Sequence, residues 1–83
     1  MKLRIKKRDD SSITPFDADS IDYFINRYFL TDCSNIGVFC ELHETCIIVG
    51  VSGPQKWLDI FAKGFEDDFY QMYPLFEVTE VER

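Results

Sequence analysis

Hydrophobic and polar residues alternate along this chain with two different periods, and the clearer one lies in residues 52–74. The large apolar residues of this stretch recur at spacings of three and four: Leu58, Phe61, Phe65, Phe69 and Met72. Such spacing is typical of one face of an amphipathic helix. We expect this helix to begin with a capping box of Ser52 and Gln55 and to end before Pro74, because the residue before a proline disfavours helical backbone. Gly64, inside it, predicts a kink or the close approach of another backbone.

A second helix is predicted to begin at Pro15, with Thr14 as its N-cap. Its apolar stripe has the same spacing: Ile21, Phe24, Ile25 and Tyr28. Residues 31–35 have a loop-forming composition and should end it.

Three further stretches predict β-strands. Residues 1–8 and 75–81 alternate between apolar and polar side chains, as half-buried strands do. In the second of these the alternation slips near Glu80 and Val81, where we expect a bulge or a frayed end. Residues 36–51 predict a β-hairpin, which accounts for two more strands.

The hairpin pattern favours a two-residue turn at His43 and Glu44. In that register apolar residues, or a cysteine, face each other on one side of the hairpin: Cys40 with Ile47, Val38 with Val49, and Ile36 with Val51. A longer loop stays open as an alternative, since neither residue of the turn favours positive φ.

The elements therefore run strand, helix, strand, strand, helix, strand, over a single α+β domain of residues 1–83. This order resembles the ferredoxin-like βαββαβ group, which implies a four-stranded antiparallel sheet of order 4-1-3-2 with two helices on one face. The first and last strands would then be neighbours and bring opposite charges together: Lys2, Arg4 and Lys6 near Glu77, Glu80 and Glu82. Phe39 and Ile48 would lie on the open sheet face, where an apolar pair indicates contact with another chain.

Charge is distributed unevenly along the chain. The formal net charge is −6, yet residues 1–8 hold five of the nine basic residues. Residues 9–83 hold the other four together with all fifteen acidic residues, a net charge of −11. Such a body repels nucleic acid and attracts basic surfaces such as those of nucleic-acid-binding proteins. Solubility alone is the competing interpretation.

Acidic and tyrosine side chains on the two helices form the candidate partner-binding surface. Carboxylates along a helix can imitate a row of phosphates, and tyrosine provides rigid contact area at protein interfaces. The candidate residues are Asp59, Glu66, Asp67, Asp68, Tyr70 and Tyr73 on the long helix, and Asp19, Asp22 and Tyr23 on the first.

Size and charge make the chain similar to small anti-CRISPR, DNA-mimic and toxin-immunity proteins. This similarity implies a non-enzymatic inhibitor that blocks a basic, nucleic-acid-binding protein without binding nucleic acid itself. The alternative is a regulatory or small-ligand-binding ferredoxin-like module that forms a homodimer through Phe39 and Ile48.

Other chemistries find little support in the sequence. Cys40, His43 and Cys46, with Cys33 upstream, match no common zinc spacing, so we expect neither metal nor cofactor. The single histidine lacks the partners that nucleophilic catalysis requires, so no enzyme is expected. Three cysteines without a secretion signal indicate reduced thiols and a cytoplasmic protein. No apolar run approaches the roughly 18 residues that span a bilayer, so no membrane contact is expected.

Overall fold

The computed structural model describes residues 1–30 and 36–82, and all of their side chains except those of residues 29–30, 61–63 and 82. The described residues form four strands and two helices in the predicted order. These elements are β1 (Lys2–Lys7), α1 (Pro15–Leu30), β2 (Gly37–Leu42), β3 (Cys46–Ser52), α2 (Gln55–Met72) and β4 (Phe76–Glu82).

The four strands form one antiparallel sheet in the order β2-β3-β1-β4. Together with the two helices, this sheet confirms the α+β class. The first and last strands are neighbours, as predicted. Their pairing sets Lys6 opposite Glu77, so opposite charges lie side by side near one end of β1.

An irregularity interrupts the pairing of β1 with β4 where the sequence predicts a bulge. Leu3 lies opposite Glu80, whereas the preceding residue, Lys2, lies opposite Glu82. Val81 is therefore the extra residue on β4, and the slip in the apolar alternation has the predicted structural cause.

The hairpin formed by β2 and β3 has a different register from the predicted one. Val38 lies opposite Val51 and not Val49, so the predicted pairing was wrong by two residues. The two-residue turn was too short, because a longer loop is closed by a hydrogen bond from the His43 N–H to the Cys46 carbonyl at 2.9 Å. Since strand side chains alternate with period two, a shift of two leaves each residue on its predicted face. The observed pairs are Gly37–Ser52, Val38–Val51, Cys40–Val49 and Leu42–Ile47.

One hydrophobic core joins one face of the sheet to both helices. The strands contribute Leu3, Ile5, Ile47, Val49, Val51, Phe76 and Val78. The helices contribute Ile21, Ile25, Leu58, Phe65 and Phe69. Burial of this kind, rather than intrinsic helix propensity, provides most of the stability of helices in proteins.

Helix α1 begins as predicted, at Pro15 with Thr14 as its cap. The Asp17 N–H donates to the Thr14 hydroxyl at 3.1 Å, and the Thr14 N–H donates to the Asp17 carboxylate at 3.4 Å. This reciprocal pair satisfies backbone donors that would otherwise be orphaned. The predicted stripe faces the core, since Ile21 and Ile25 are fully buried.

Helix α2 begins differently from the prediction. Its N-cap residue is Pro54, and no side-chain capping hydrogen bond is present. Ser52 is the last residue of β3, so the predicted capping box with Gln55 was wrong. The helix ends at Met72 with Tyr73 as its C-cap, as expected from the proline that follows.

The apolar stripe of α2 is confirmed over most of its length. Leu58, Phe65 and Phe69 are buried, whereas the side chain of Phe61 lies outside the described residues. Met72 is 63% exposed, so its assignment to the core was wrong. The stripe continues to the end of the helix, but its last residue lies outside the core.

Gly64 lies where α1 approaches α2 closely. A methyl group at this position would come within 2.8 Å of the Tyr28 hydroxyl. The predicted close approach is therefore present, but it involves a side chain and not a second backbone.

Phe65→Ala tests the core. Phe65 is fully buried, with its ring centroid 5.5 Å from that of Tyr28 and 5.6 Å from that of Phe69. The substitution should lower the free energy of unfolding by about 3–5 kcal/mol, measured by denaturant titration. Ile60→Ala, at a position 60% exposed on the same helix, is the matched control and should change it by less than about 0.5 kcal/mol. A loss below about 1 kcal/mol for Phe65→Ala would show that this face is not the core.

Candidate functional site

The two helices meet through a cluster of aromatic rings. The ring centroid of Phe24 on α1 lies 5.8 Å from those of Phe69 and Tyr73, both in edge-to-face geometry. Tyr73 in turn stacks on Phe69 at 4.8 Å. Such ring pairs contribute about 0.5–1.5 kcal/mol each beyond the area they bury. The cluster fixes the C-terminal end of α2 against α1.

Hydrogen bonds join the same two helices. The hydroxyl oxygens of Ser20 and Tyr73 are 2.6 Å apart, and the Tyr73 hydroxyl also donates to the Ser20 carbonyl at 3.2 Å. The Ser20 hydroxyl then serves as donor to the tyrosine oxygen. Tyr73 was predicted to contact a partner. Because its hydroxyl is already hydrogen-bonded within the chain, only its ring is available for such a contact.

Beside this contact the helices leave an open groove of about 590 Å³, which we term the helix groove. Its lining residues are Phe16, Asp19, Ser20, Tyr23, Phe24, Arg27, Met72 and Tyr73. Three of them are large and strongly exposed: Phe16 at 81%, Tyr23 at 67% and Met72 at 63%. Aromatic residues, methionine and arginine are the types enriched at the centres of protein interfaces. The groove therefore has the composition of a contact surface.

Three of the predicted partner-binding residues converge on the helix groove. Asp19 and Tyr23 reach it from α1, and Tyr73 from the end of α2. Phe16 and Met72 complete it but were not among the predicted site residues. A signal for Phe16 was present, because it lies seven residues before Tyr23 and so shares a face of α1 outside the core stripe.

Tyr70, a further predicted contact, holds α2 to the last strand. Its hydroxyl accepts a hydrogen bond from the Val78 N–H at 2.9 Å and lies 3.4 Å from the Val78 carbonyl. The guanidinium of Arg8 lies 5.3 Å from the centre of its ring, within the range of a cation–π contact. Most of what Tyr70 could offer a partner is thus used inside the fold.

The predicted acidic residues are all exposed: Asp19, Asp22, Asp59, Glu66, Asp67 and Asp68. Asp59 accepts a hydrogen bond from Gln55 at 3.0 Å. Glu66 and Asp67 project from the middle of α2, away from its buried face. The two helices together present carboxylates on their solvent sides.

Asp68 differs from its neighbours because it contacts Tyr28 of α1. Burial raises the pKa of Tyr28 to about 12, helped by the negative charge of Asp68, a hydrogen bond to its carboxylate, and the charge of Asp67. A neutral tyrosine hydroxyl can donate to the carboxylate, and ionisation would remove that donor.

The basic N-terminal segment is largely engaged within the fold. Its cations have intramolecular partners: Lys6 with Asp10, Lys7 with Asp17 at 3.0 Å, and Arg8 with the Pro74 carbonyl at 3.2 Å. Ion pairs near the surface contribute little to stability. The carboxylates of Asp10 and Asp17 offset the charges of the two lysines, whereas Arg8, bonded to a neutral carbonyl, keeps its charge.

The cysteines do not form a metal centre among the described residues. Cys40 lies opposite Val49 on the core side of the sheet, whereas Cys46 lies opposite Lys6 on the other side. Burial raises the pKa of the Cys40 thiol to about 12, with a hydrogen bond to Asp22 and its charge adding to the effect. No group of three or more His, Cys, Asp or Glu side chains in the described part of the chain could hold a metal ion. Cys33 lies outside the described residues.

The open face of the sheet carries the two residues predicted for a second interface. Phe39 is 53% exposed, and its ring lies across Gly50, where an added methyl group would meet it at 2.1 Å. Ile48 is half-buried, because Arg4 and Glu41 lie directly beside it on the neighbouring strands. Phe39 is thus the main apolar feature of this face.

No protein-family model, curated protein or solved structure matches the chain. Within the described residues, neither helix is long and apolar enough to cross a membrane. Inference about function therefore depends on the surface chemistry of the molecule itself.

The burial of Tyr28, together with its contact with Asp68, predicts a loss of stability at alkaline pH. An unfolded tyrosine loses its proton near pH 10, whereas folded Tyr28 keeps it until about pH 12. The unfolded state then binds fewer protons, so the free energy of unfolding should fall as pH rises from about 10 to 12.

Tyr28→Phe should remove this part of the pH dependence, measured by urea denaturation at several pH values. Ile60→Ala, at a position 60% exposed on α2, is the control and should keep the pH profile of the parent, because it removes no titratable group. An unaltered profile in Tyr28→Phe would contradict the assignment.

Proposed function

We propose that the protein is a small non-enzymatic inhibitor that binds and covers the basic, nucleic-acid-binding surface of a larger protein. The proposal rests on one observation above all. Carboxylates are exposed on the solvent sides of both helices, while Lys6, Lys7 and Arg8 are engaged within the fold. The surface therefore exposes carboxylates on both helices, while Lys6 and Lys7 are paired with carboxylates of the same chain.

The inhibitory mechanism follows from charge and shape. Lysine and arginine side chains that normally meet phosphate groups would meet Asp19, Asp22, Glu66 and Asp67 instead. The negative field would also speed the encounter, because opposite charges steer association. Once bound, the protein would exclude nucleic acid both sterically and electrostatically.

A second candidate is a regulatory or small-ligand-binding module of ferredoxin-like topology that forms a homodimer. The order β4-β1-β3-β2 and the single core shared by both helices support that topology. The exposed ring of Phe39 on the open sheet face favours an interface there. A stable dimer in solution that buries Phe39 would favour this candidate over the inhibitor.

Charge reversal on α2 tests the inhibitor proposal. Binding is measured to the partner that the immobilised protein retains from extracts of its host. Glu66→Lys combined with Asp67→Lys should abolish binding, because attraction becomes repulsion at exposed positions. Binding of the unsubstituted protein to this partner should weaken as the salt concentration rises, since screening acts over about 8–10 Å. Nucleic acid should compete with the protein for the partner. Asp68 is left unchanged because it contacts Tyr28.

Glu41→Lys combined with Glu44→Lys is the matched control. It changes the net charge equally, but at exposed positions in the β2–β3 hairpin, and it should retain most of the binding. The acidic-helix mechanism is wrong if the α2 variant binds as well as the parent, or if nucleic acid does not compete.

A further inference from the structure

We propose that the helix groove seats an amphipathic helix of the partner, with apolar side chains along one face and basic side chains beside them. This inference rests on the proposed function and specifies the segment of the partner that is bound. The groove is where exposed apolar area and candidate acidic residues coincide, since Phe16, Tyr23 and Met72 line it together with Asp19.

The polarity of the groove selects a helix over an extended segment. An extended peptide needs partners for its backbone N–H and C=O groups, and the free sheet edges belong to β2 and β4, not to the groove. Of the three hydroxyls in the groove, those of Ser20 and Tyr73 are already bonded to each other, and that of Tyr23 is a single exposed group and not a row of partners. A helix satisfies its own backbone groups and can therefore lay an apolar face into such a groove.

The length of the groove fits about three helical turns. On α1 the lining runs from Phe16 to Arg27, which corresponds to about 16 Å at the rise of an α-helix. Apolar side chains at positions i, i+3 or i+4, and i+7 of a bound helix would cover this distance. They would meet Phe16 and Tyr23 on one wall and Met72 on the other.

Charge at the groove favours a basic occupant in a particular direction. Asp19 lines the groove near the end that Phe16 marks. Basic side chains on the occupant would pair with this carboxylate. Arg27 lines the other end, where it favours the negative C-terminal end of a helix dipole. The occupant would therefore place its N-terminal half, with its basic residues, beside Asp19.

The two methionines of the chain give a direct test. Met72 lines the groove, whereas Met1 packs half-buried against the core near Val51, away from the groove. The protein is labelled at its methionine methyl groups and titrated, in NMR spectra, with a synthetic peptide of Leu at helical spacing and Lys elsewhere. The Met72 methyl resonance should shift while that of Met1 stays in place. A scrambled peptide of identical composition should shift neither.

Substitutions in the groove provide a second test of the inference. Phe16→Ala combined with Tyr23→Ala should weaken binding of the peptide at least about tenfold, which is the scale of a lost interface anchor. Both residues are exposed, so the fold should persist, and an unchanged Met1 resonance would verify this. Ile60→Ala, exposed on α2 outside the groove, should bind the peptide like the parent. Replacing Lys by Glu in the peptide should also weaken its binding to the protein.

Three results would overturn the inference: no shift of Met72, an equal shift with the scrambled peptide, or a shift produced by a fatty acid but not by the peptide. The last would identify a small-molecule site. None of these would affect the charge-reversal result with Glu66 and Asp67, so failure of the groove and failure of the proposed function are distinguishable. Conversely, the peptide could bind in the groove while charge reversal has no effect on partner binding. That result would support the groove inference and contradict the acidic-helix mechanism.

Discussion

The packing of α1 on α2 through aromatic rings is the contact on which the rest of the structure depends. The ring of Phe24 on α1 packs edge-to-face against both Phe69 and Tyr73, and the ring of Phe65 lies 6.0 Å from it. A chain of 83 residues has a small core, so each large buried ring carries a large share of its stability. The same packing also forms the helix groove, because it holds the end of α2 against α1 and leaves Met72 exposed beside Phe16 and Tyr23.

Electrostatic organisation follows from the sheet order. Placing the first and last strands side by side sets the basic residues of β1 against the acidic residues of β4. The adjoining loop and helix start engage Lys6 and Lys7 through Asp10 and Asp17. Two lysines near the N-terminus are thus paired with carboxylates of the same chain. Exposed carboxylates lie on the two helices: Asp19, Asp22, Glu66, Asp67 and Asp68.

Sequence pattern predicted the elements, the bulge at Val81 and most of the core, because each depends on local periodicity. It did not predict the hairpin register, since a shift of two residues preserves every apolar face and only the loop distinguishes the alternatives. Met72 continues the stripe of α2, but whether the sheet extends far enough to cover it is a tertiary property. The hydrogen bonds of Tyr70 and Tyr73 likewise depend on neighbours distant in sequence. The carboxylates of the predicted site are exposed, but the sequence did not predict that Tyr70 and Tyr73 are hydrogen-bonded within the fold.

The central claim is that the protein acts through its helical side. Amide hydrogen exchange, measured for the protein alone and with its bound partner, tests this most directly. We predict increased protection in α1 (Pro15–Leu30) and in the C-terminal turns of α2, with the β2–β3 hairpin unchanged. Protection confined to β2 (Gly37–Leu42) and β3 (Cys46–Ser52) would contradict the account, because it would place the partner on the open sheet face around Phe39.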